Sequence, residues 1–381
     1  MHSRRCRPTM SLFDRGLVTA RIPAPRKGPA MARSPGVLLS ALADEAAFHL
    51  TATEQFAVMA ALGLEYYSLR FIDVGKGVRN VMKLSLGEIR TVRRLEDEYG
   101  LNVASIASPI GKVKLVDVDD GTTNRYVPFK RYLSGEVAKA CELAHAFETK
   151  LIRGFSFYPP RDADPRDFLD EACDRIGQIA EACHRSDLTF GLEVEANLVG
   201  RNGQLLAEIY RRVNHPGLVL VFDAANLIVQ GYSPAEVFRQ WEAMKPGLGW
   251  VHIKDYRPPR RPRKAAGSRG GARSLKGGHV EEDQLAHFVP ADLGAANHGK
   301  ILADLAGMLP KLTRSLQRRG IPGVFLDLEP HVRGGGQFGG TSGPDGMGIA
   351  LRGLCRVLDA AGLPYHLRDF DDLLAARGLA G

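Results

Sequence analysis

From residue 36 onward the hydrophobic pattern repeats one unit: a short apolar or β-branched run, a turn, then a longer stretch with apolar residues at helical spacing. The apolar runs fall at 36–42, 63–72, 101–108, 150–157, 189–194, 217–222, 249–253 and 323–328. The helical stretches fall at 53–62, 86–99, 134–147, 167–184, 203–213, 233–244, 300–319 and 347–361. Gly36, Gly63, Gly217, Gly249 and Gly323 each stand at the front of a run, where a preceding helix would stop. Strands that are apolar throughout are buried on both faces, which means a parallel sheet covered by helices. Eight such units predict an α/β fold: a single (β/α)8, or TIM, barrel over 34–381. No GxGxxG or Walker-type loop follows any run, which removes the common nucleotide-binding designs.

Charge changes the picture less than its total suggests. The chain of 381 residues carries a net +8, but residues 1–33 hold +7 and residues 257–276 hold +8, leaving −7 for the rest. The barrel body is therefore acidic, and no nucleic-acid partner is expected. Residues 1–33 read as a disordered leader, Pro and Arg rich and without the apolar core of a secretory signal; Met31 is the expected true start. The connection from Asp255 to Lys300 is far longer than usual and includes the basic segment 257–276, read as a flexible insertion on the catalytic face. No run reaches the ~18 apolar residues of a membrane helix. The five cysteines lack CxxC spacing and read as free thiols in a reducing, cytoplasmic setting. Self-association into a homo-oligomer is compatible with all of this.

Candidate chemistry sits where four successive runs end. A side chain at the C-terminal tip of a barrel strand points into the shared mouth. The fifth run ends with Glu193 and Glu195, the sixth with Asp223 and then Asn226, the seventh with His252, Lys254 and Asp255, and the eighth with Asp327, Glu329 and His331. Each has an ordinary explanation taken singly: Asp223 as a helix N-cap, His252 as a core histidine, Glu193 or Glu195 as a strand-end residue facing solvent, and Glu329, before Pro330, as a loop residue. Jointly they converge on one cavity, where unpaired carboxylates would repel unless a cation lay between them. Three carboxylates and one imidazole suit a single divalent ion, Mn²⁺ before Mg²⁺, Co²⁺ or Zn²⁺.

With Leu192-Glu193-Val194, Phe222-Asp223, Val251-His252-Ile253-Lys254 and Leu328-Glu329-Pro330 in this order, the chain resembles the sugar phosphate isomerase/epimerase family. That family lies within the xylose isomerase-like barrel superfamily and is related to the ketose 3-epimerases. The resemblance covers roughly Pro35 to Phe370. It implies that Glu193, Asp223, His252 and Glu329 bind the metal. It also implies that Glu193 and Glu329 serve as acid and base beside a metal-stabilised enediolate, and that the substrate is a small sugar or sugar-like ketone. The chain departs from the epimerase pattern in Glu195-Ala196-Asn197-Leu198, in Asn226 where a His is usual, and at Pro258 where an Arg is usual.

Further substrate-binding candidates are Lys254, Asn226, Glu195, Arg70 at the end of the second run, Lys112 after the third, and His298. The glycine-rich stretch 334–340 reads as a candidate lid. The same ligand set would serve a dehydratase or lyase acting on a keto-inositol or an oxidised glycoside. An apurinic endonuclease-like phosphodiesterase is a weaker rival, because it needs additional histidines that the second and third runs do not supply.

Overall fold

Eight parallel strands are present in the computed structural model, which describes residues 36–258, 288–334, 340–376 and 379. They are β1 (Leu38–Ala41), β2 (Tyr66–Leu69), β3 (Asn102–Ile110), β4 (Leu151–Gly154), β5 (Thr189–Glu193), β6 (Leu218–Asp223), β7 (Leu248–Ile253) and β8 (Phe325–Leu328). Their order around the sheet is β1-β8-β7-β6-β5-β4-β3-β2, and a parallel bridge from Leu42 to Ser68 draws the two ends together. Each expected apolar run overlaps one of these strands, with three strands reaching one or two residues beyond their runs, so the barrel is the fold.

The helices between them are α1 (Ala52–Ala61), α2 (Leu86–Tyr99), α3 (Ala138–Ala146), α4 (Leu169–Arg185), α5 (Gly203–Val213), α6 (Pro234–Met244), α7 (His298–Gln317) and α8 (Gly343–Ala361). Local chemistry sets their ends. Ser85 and Glu88 form a reciprocal capping box at the start of α2, and Gly100 ends it in the left-handed region at φ 64°. Ser233 and Glu236 repeat the box at α6. Helix α8 starts four residues before the expected 347, because Gly343-Pro344-Asp345-Gly346 reads as a turn while Pro344 suits a first helical turn.

Elements too short to show a period were not anticipated. The helix Phe370–Ala376 is one. The short helices Phe129–Tyr132 and Ala225–Ile228 and the antiparallel pairs Phe71–Ile72 with Arg79–Asn80 and Asp255–Tyr256 with Phe288–Val289 are among the rest. The second pair joins the two ends of the long β7–α7 connection, whose residues 259–276 of the predicted insertion lie outside the described residues. The predicted leader 1–33 also lies outside them, and so do residues 335–339 of the glycine-rich stretch. Among the described residues Cys141, Cys173, Cys183 and Cys355 are unbridged, and no helix is long and apolar enough to cross a membrane.

Alternation along the strands decides what fills the barrel below its mouth. Gly191 precedes Glu193 by two and Trp250 precedes His252 by two, so both share the inward face with those polar residues. The indole of Trp250 is fully buried, and a Cβ built on Gly191 would lie 2.0 Å from its ring. Gly191 thus makes room for the aromatic floor of the mouth. Gly191→Ala is expected to lower stability by about 1–3 kcal/mol, the usual cost of overpacking a filled core. Urea unfolding checks this, and an unchanged midpoint would show that the floor has slack.

Candidate metal centre

Four strand ends bring their polar side chains to one point. Glu193 and Asp223 are the last residues of β5 and β6, His252 is the penultimate residue of β7, and Glu329 follows β8 directly. One ligand atom from each lies within 4.8 Å of every other, and all four residues are buried. His252 Nδ1 is the hub, 3.3 Å from Glu193 Oε1 and 3.4 Å from Glu329 Oε2. Its Nε2 faces Asp327 Oδ2 at 3.7 Å. Asp223 serves two ends at once. Its Oδ1 accepts the backbone N–H of Asn226 at 3.1 Å, although the cap position of the short helix Ala225–Ile228 is Ala224 and not Asp223 as expected, while Oδ2 faces the cluster 3.1 Å from Lys254 Nζ.

The donor set fits a divalent cation. Asp223 Oδ2 and His252 Nδ1 are buried and held only by ion pairs, to Lys254 at 3.1 Å and to Glu193 and Glu329 at 3.3 and 3.4 Å, with no hydrogen bond of good geometry, which leaves their lone pairs available to a cation. Three carboxylates and one imidazole are the ligands that hard or borderline divalent ions accept. The electrostatics agree. Burial alone lowers the His252 imidazole, but Glu193 outweighs it and pushes the group up to about 10. Burial alone raises Glu193, and His252 and Arg153 overcome it to hold the carboxyl at about 2. These oxygens therefore attract positive charge, whether a proton on the imidazole or a metal ion.

A second trio, Glu45, Glu329 and His331, also has ligand atoms within 4.8 Å of one another. Here a cation is already supplied by the protein. Arg70 donates to Asp44 at 2.8 Å, to Glu329 Oε1 at 2.7 Å and to Glu45 at 3.3 Å. We read that trio as an arginine-centred ion network, with Glu45 and His331 Nδ1 paired at 2.6 Å.

The remaining candidates fall in three places. Arg70, Lys112 and Glu195 line a cavity of about 150 Å³ at the mouth, together with Asn80, Arg153, Phe155 and Glu329. Lys112 sits 3.1 Å from Glu195, whose carboxyl is pushed up to about 8 by burial against the opposing pull of that lysine. Lys254 is buried against Asp223 and Glu329, and Asn226 donates to the Val194 carbonyl at 3.0 Å and to Glu193 at 3.4 Å. His298 does not line the cavity: its ring is buried 2.9 Å from the backbone carbonyl of Lys254. Sequence reasoning assigned no role to Arg153 or Asp327. A lone arginine within the apolar run Leu151-Ile152-Arg153-Gly154 was the available signal for the first.

A family model described as Xylose isomerase-like TIM barrel matches residues 56–356. The chain belongs to this family. Solved structures of similar fold include the probable 3-DHS dehydratase AsbF involved in petrobactin synthesis from Bacillus anthracis. It is 17% identical with a TM-score of 0.55, over 84% of this chain and 98% of that one. A xylose isomerase-like TIM barrel protein from Mycobacterium smegmatis, in complex with magnesium, is 16% identical with a TM-score of 0.54, over 86% and 97%. A D-allulose 3-epimerase from Methylomonas sp. is 15% identical with a TM-score of 0.51, over 86% and 100%. No curated protein matches the chain. At these identities the neighbours establish the fold and leave the reaction of this xylose isomerase-like barrel open.

The geometry predicts one divalent ion per chain, counted by metal analysis after dialysis against Mn²⁺. Two or more equivalents would show that the Glu45–Glu329–His331 trio also takes a metal. Because His252 holds a proton up to about pH 10, binding must release it. Affinity for Mn²⁺ should therefore rise roughly tenfold per unit between about pH 6 and pH 8. An affinity independent of pH would mean that His252 is not displaced from its proton and is no ligand.

Proposed function

We propose that the protein is a divalent-metal-dependent isomerase or epimerase of a small sugar, sugar phosphate or sugar-like ketone, working by proton transfer at a carbon beside a carbonyl. The observation that carries this is the convergence of Glu193, Asp223, His252 and Glu329 next to a cavity lined by further charged groups. A larger hollow of about 630 Å³, lined by Cys173, Glu181 and His215 among others, includes none of the four. A divalent ion held by these ligands would act as a Lewis acid toward a substrate carbonyl and acidify the neighbouring C–H; manganese is the ion we favour.

The protein's own groups account for the rest. Glu193 and Glu329 come from β5 and from the end of β8, three strands apart, and so reach a substrate from different sides. We assign them the removal and return of the proton. Transfer between two faces gives an epimer, whereas return to the adjacent carbon by one group gives an aldose–ketose isomer. Lys112, Glu195 and Arg70 line the cavity and can orient hydroxyl groups, while Lys254 offsets the charge of Asp223 and Glu329.

A second reading is elimination of water from a hydroxyketone at the same site. Glu195 favours it, because a cavity-lining carboxyl pushed up to about 8 keeps its proton near neutrality and can hand it to a departing hydroxyl.

Incubation of free and phosphorylated hydroxyketones with the Mn²⁺-loaded enzyme in deuterated water separates these outcomes. Deuterium gained at carbon in a product of unchanged composition is expected for the isomerase or epimerase; loss of one water by mass would mean elimination. Glu329→Gln should lower exchange by about 10²–10⁴-fold, the usual contribution of a positioned acid–base group. Near-normal exchange in that variant would leave Glu329 as a ligand only and end the two-carboxylate epimerase reading.

A further inference from the structure

Two arginines are buried among the metal-site carboxylates, Arg70 and Arg153, each 5% exposed. Arg153 enters from β4 and donates from Nη1 to Glu193 Oε2 at 2.8 Å. Its own place is fixed independently, by a bond from Nη2 to the Ala107 carbonyl at 3.3 Å and by the Phe155 ring, whose centroid is 4.7 Å from the guanidinium carbon. Arg70 follows β2 and donates from Nη1 to Glu329 Oε1 at 2.7 Å, with Nε and Nη2 anchored on Asp44 and Glu45.

The two glutamates are thus divided in the same way. One oxygen of each is held by a guanidinium, and the other faces His252 Nδ1, at 3.3 Å for Glu193 and 3.4 Å for Glu329. The terminal torsion of a glutamate is soft, so a carboxylate left to itself can turn either one oxygen or both toward a cation. An arginine fork anchored elsewhere removes that choice, and its charge is permanent.

Resting on the cation-site reading above, we propose that Arg153 and Arg70 are positioning residues that lock Glu193 and Glu329 into one-oxygen ligation. The lock has two consequences. It leaves coordination positions open for substrate oxygens. It also sets the ion's size, because Ca²⁺ accepts two-oxygen carboxylates at longer distance, whereas Mg²⁺ requires a compact octahedron. The site built here is one for a small ion.

The test is a set of affinity titrations of the full chain with Mn²⁺, Mg²⁺ and Ca²⁺, for wild type, Arg153→Lys and Arg153→Gln. Lysine keeps the charge but cannot bridge Glu193 and the Ala107 carbonyl, and glutamine keeps one donor without the charge. Both variants should bind Mn²⁺ and Mg²⁺ about 10–100-fold more weakly, the usual range for losing a group that orients a ligand. Ca²⁺ should lose less, so that selectivity moves toward the larger ion. Arg70→Lys should behave alike in direction. Equal weakening for all three ions, together with a fall in the melting temperature of the metal-free protein, would make the arginines structural only and overturn the proposal. Unchanged affinities would overturn it as well. A wild type that binds none of the three ions would instead remove the metal reading on which the proposal rests.

Discussion

Buried carboxylate charge is the constraint on which the rest of this structure depends. Asp44, Glu45, Glu193, Glu195, Asp223, Asp327 and Glu329 are all buried at one end of the barrel. Leaving such groups ionised away from water is tolerable only when each meets a cation or a set of hydrogen-bond donors. The protein supplies Arg70, Arg153, Lys112 and Lys254 as paired cations. It also supplies hydroxyl donors: Asp327 accepts from Ser40 at 2.9 Å and from Ser68 at 2.5 Å. What remains is the face of the cluster around His252 Nδ1, where Asp223 Oδ2 has only the ion pair with Lys254 and makes no hydrogen bond. That part of the cluster could hold a divalent ion.

The barrel meets this constraint by dividing its interior into layers. At the mouth the inward positions are ligands and their ion partners. One layer uses the serine hydroxyls of β1 and β2 to hold Asp327, which in the β7–β8 register stands directly beside His252. Two residues back along β5 and β7, Gly191 and Trp250 replace polarity with an aromatic floor. Just above that floor the bonds from Arg153 and Arg70 hold Glu193 and Glu329 in place. Rigidity of that kind suits a site whose chemistry requires oxygens at fixed places.

Much of this was legible in the sequence, and for an identifiable reason. Parallel strands joined by helices give a strong periodic signal, and α2 and α5 coincide end to end with the expected 86–99 and 203–213. In a barrel every strand ends at the same face, so the last polar residue of each run shares a location without any knowledge of long-range contacts. That rule placed Glu193, Asp223, His252 and Glu329 among the mouth residues, the family resemblance singled them out, and their ligand atoms do converge. The short ribbons at 71–80 and 255–289 showed no such signal, since two residues cannot display a period.

By itself the sequence determined the barrel and the four converging strand ends, because both depend on local pattern and on a topology that repeats. Only the tertiary structure decided which cation meets which carboxylate. Arg153 reaches Glu193 across 40 residues of chain, and Arg70 reaches Glu329 across 259. His298 is buried against the Lys254 carbonyl, 44 residues earlier, and does not line the cavity. Such pairings depend on the direction of a side chain and on the unsatisfied groups around it. Neither property is carried by residue type or spacing, and both are set only when the strands close into a barrel.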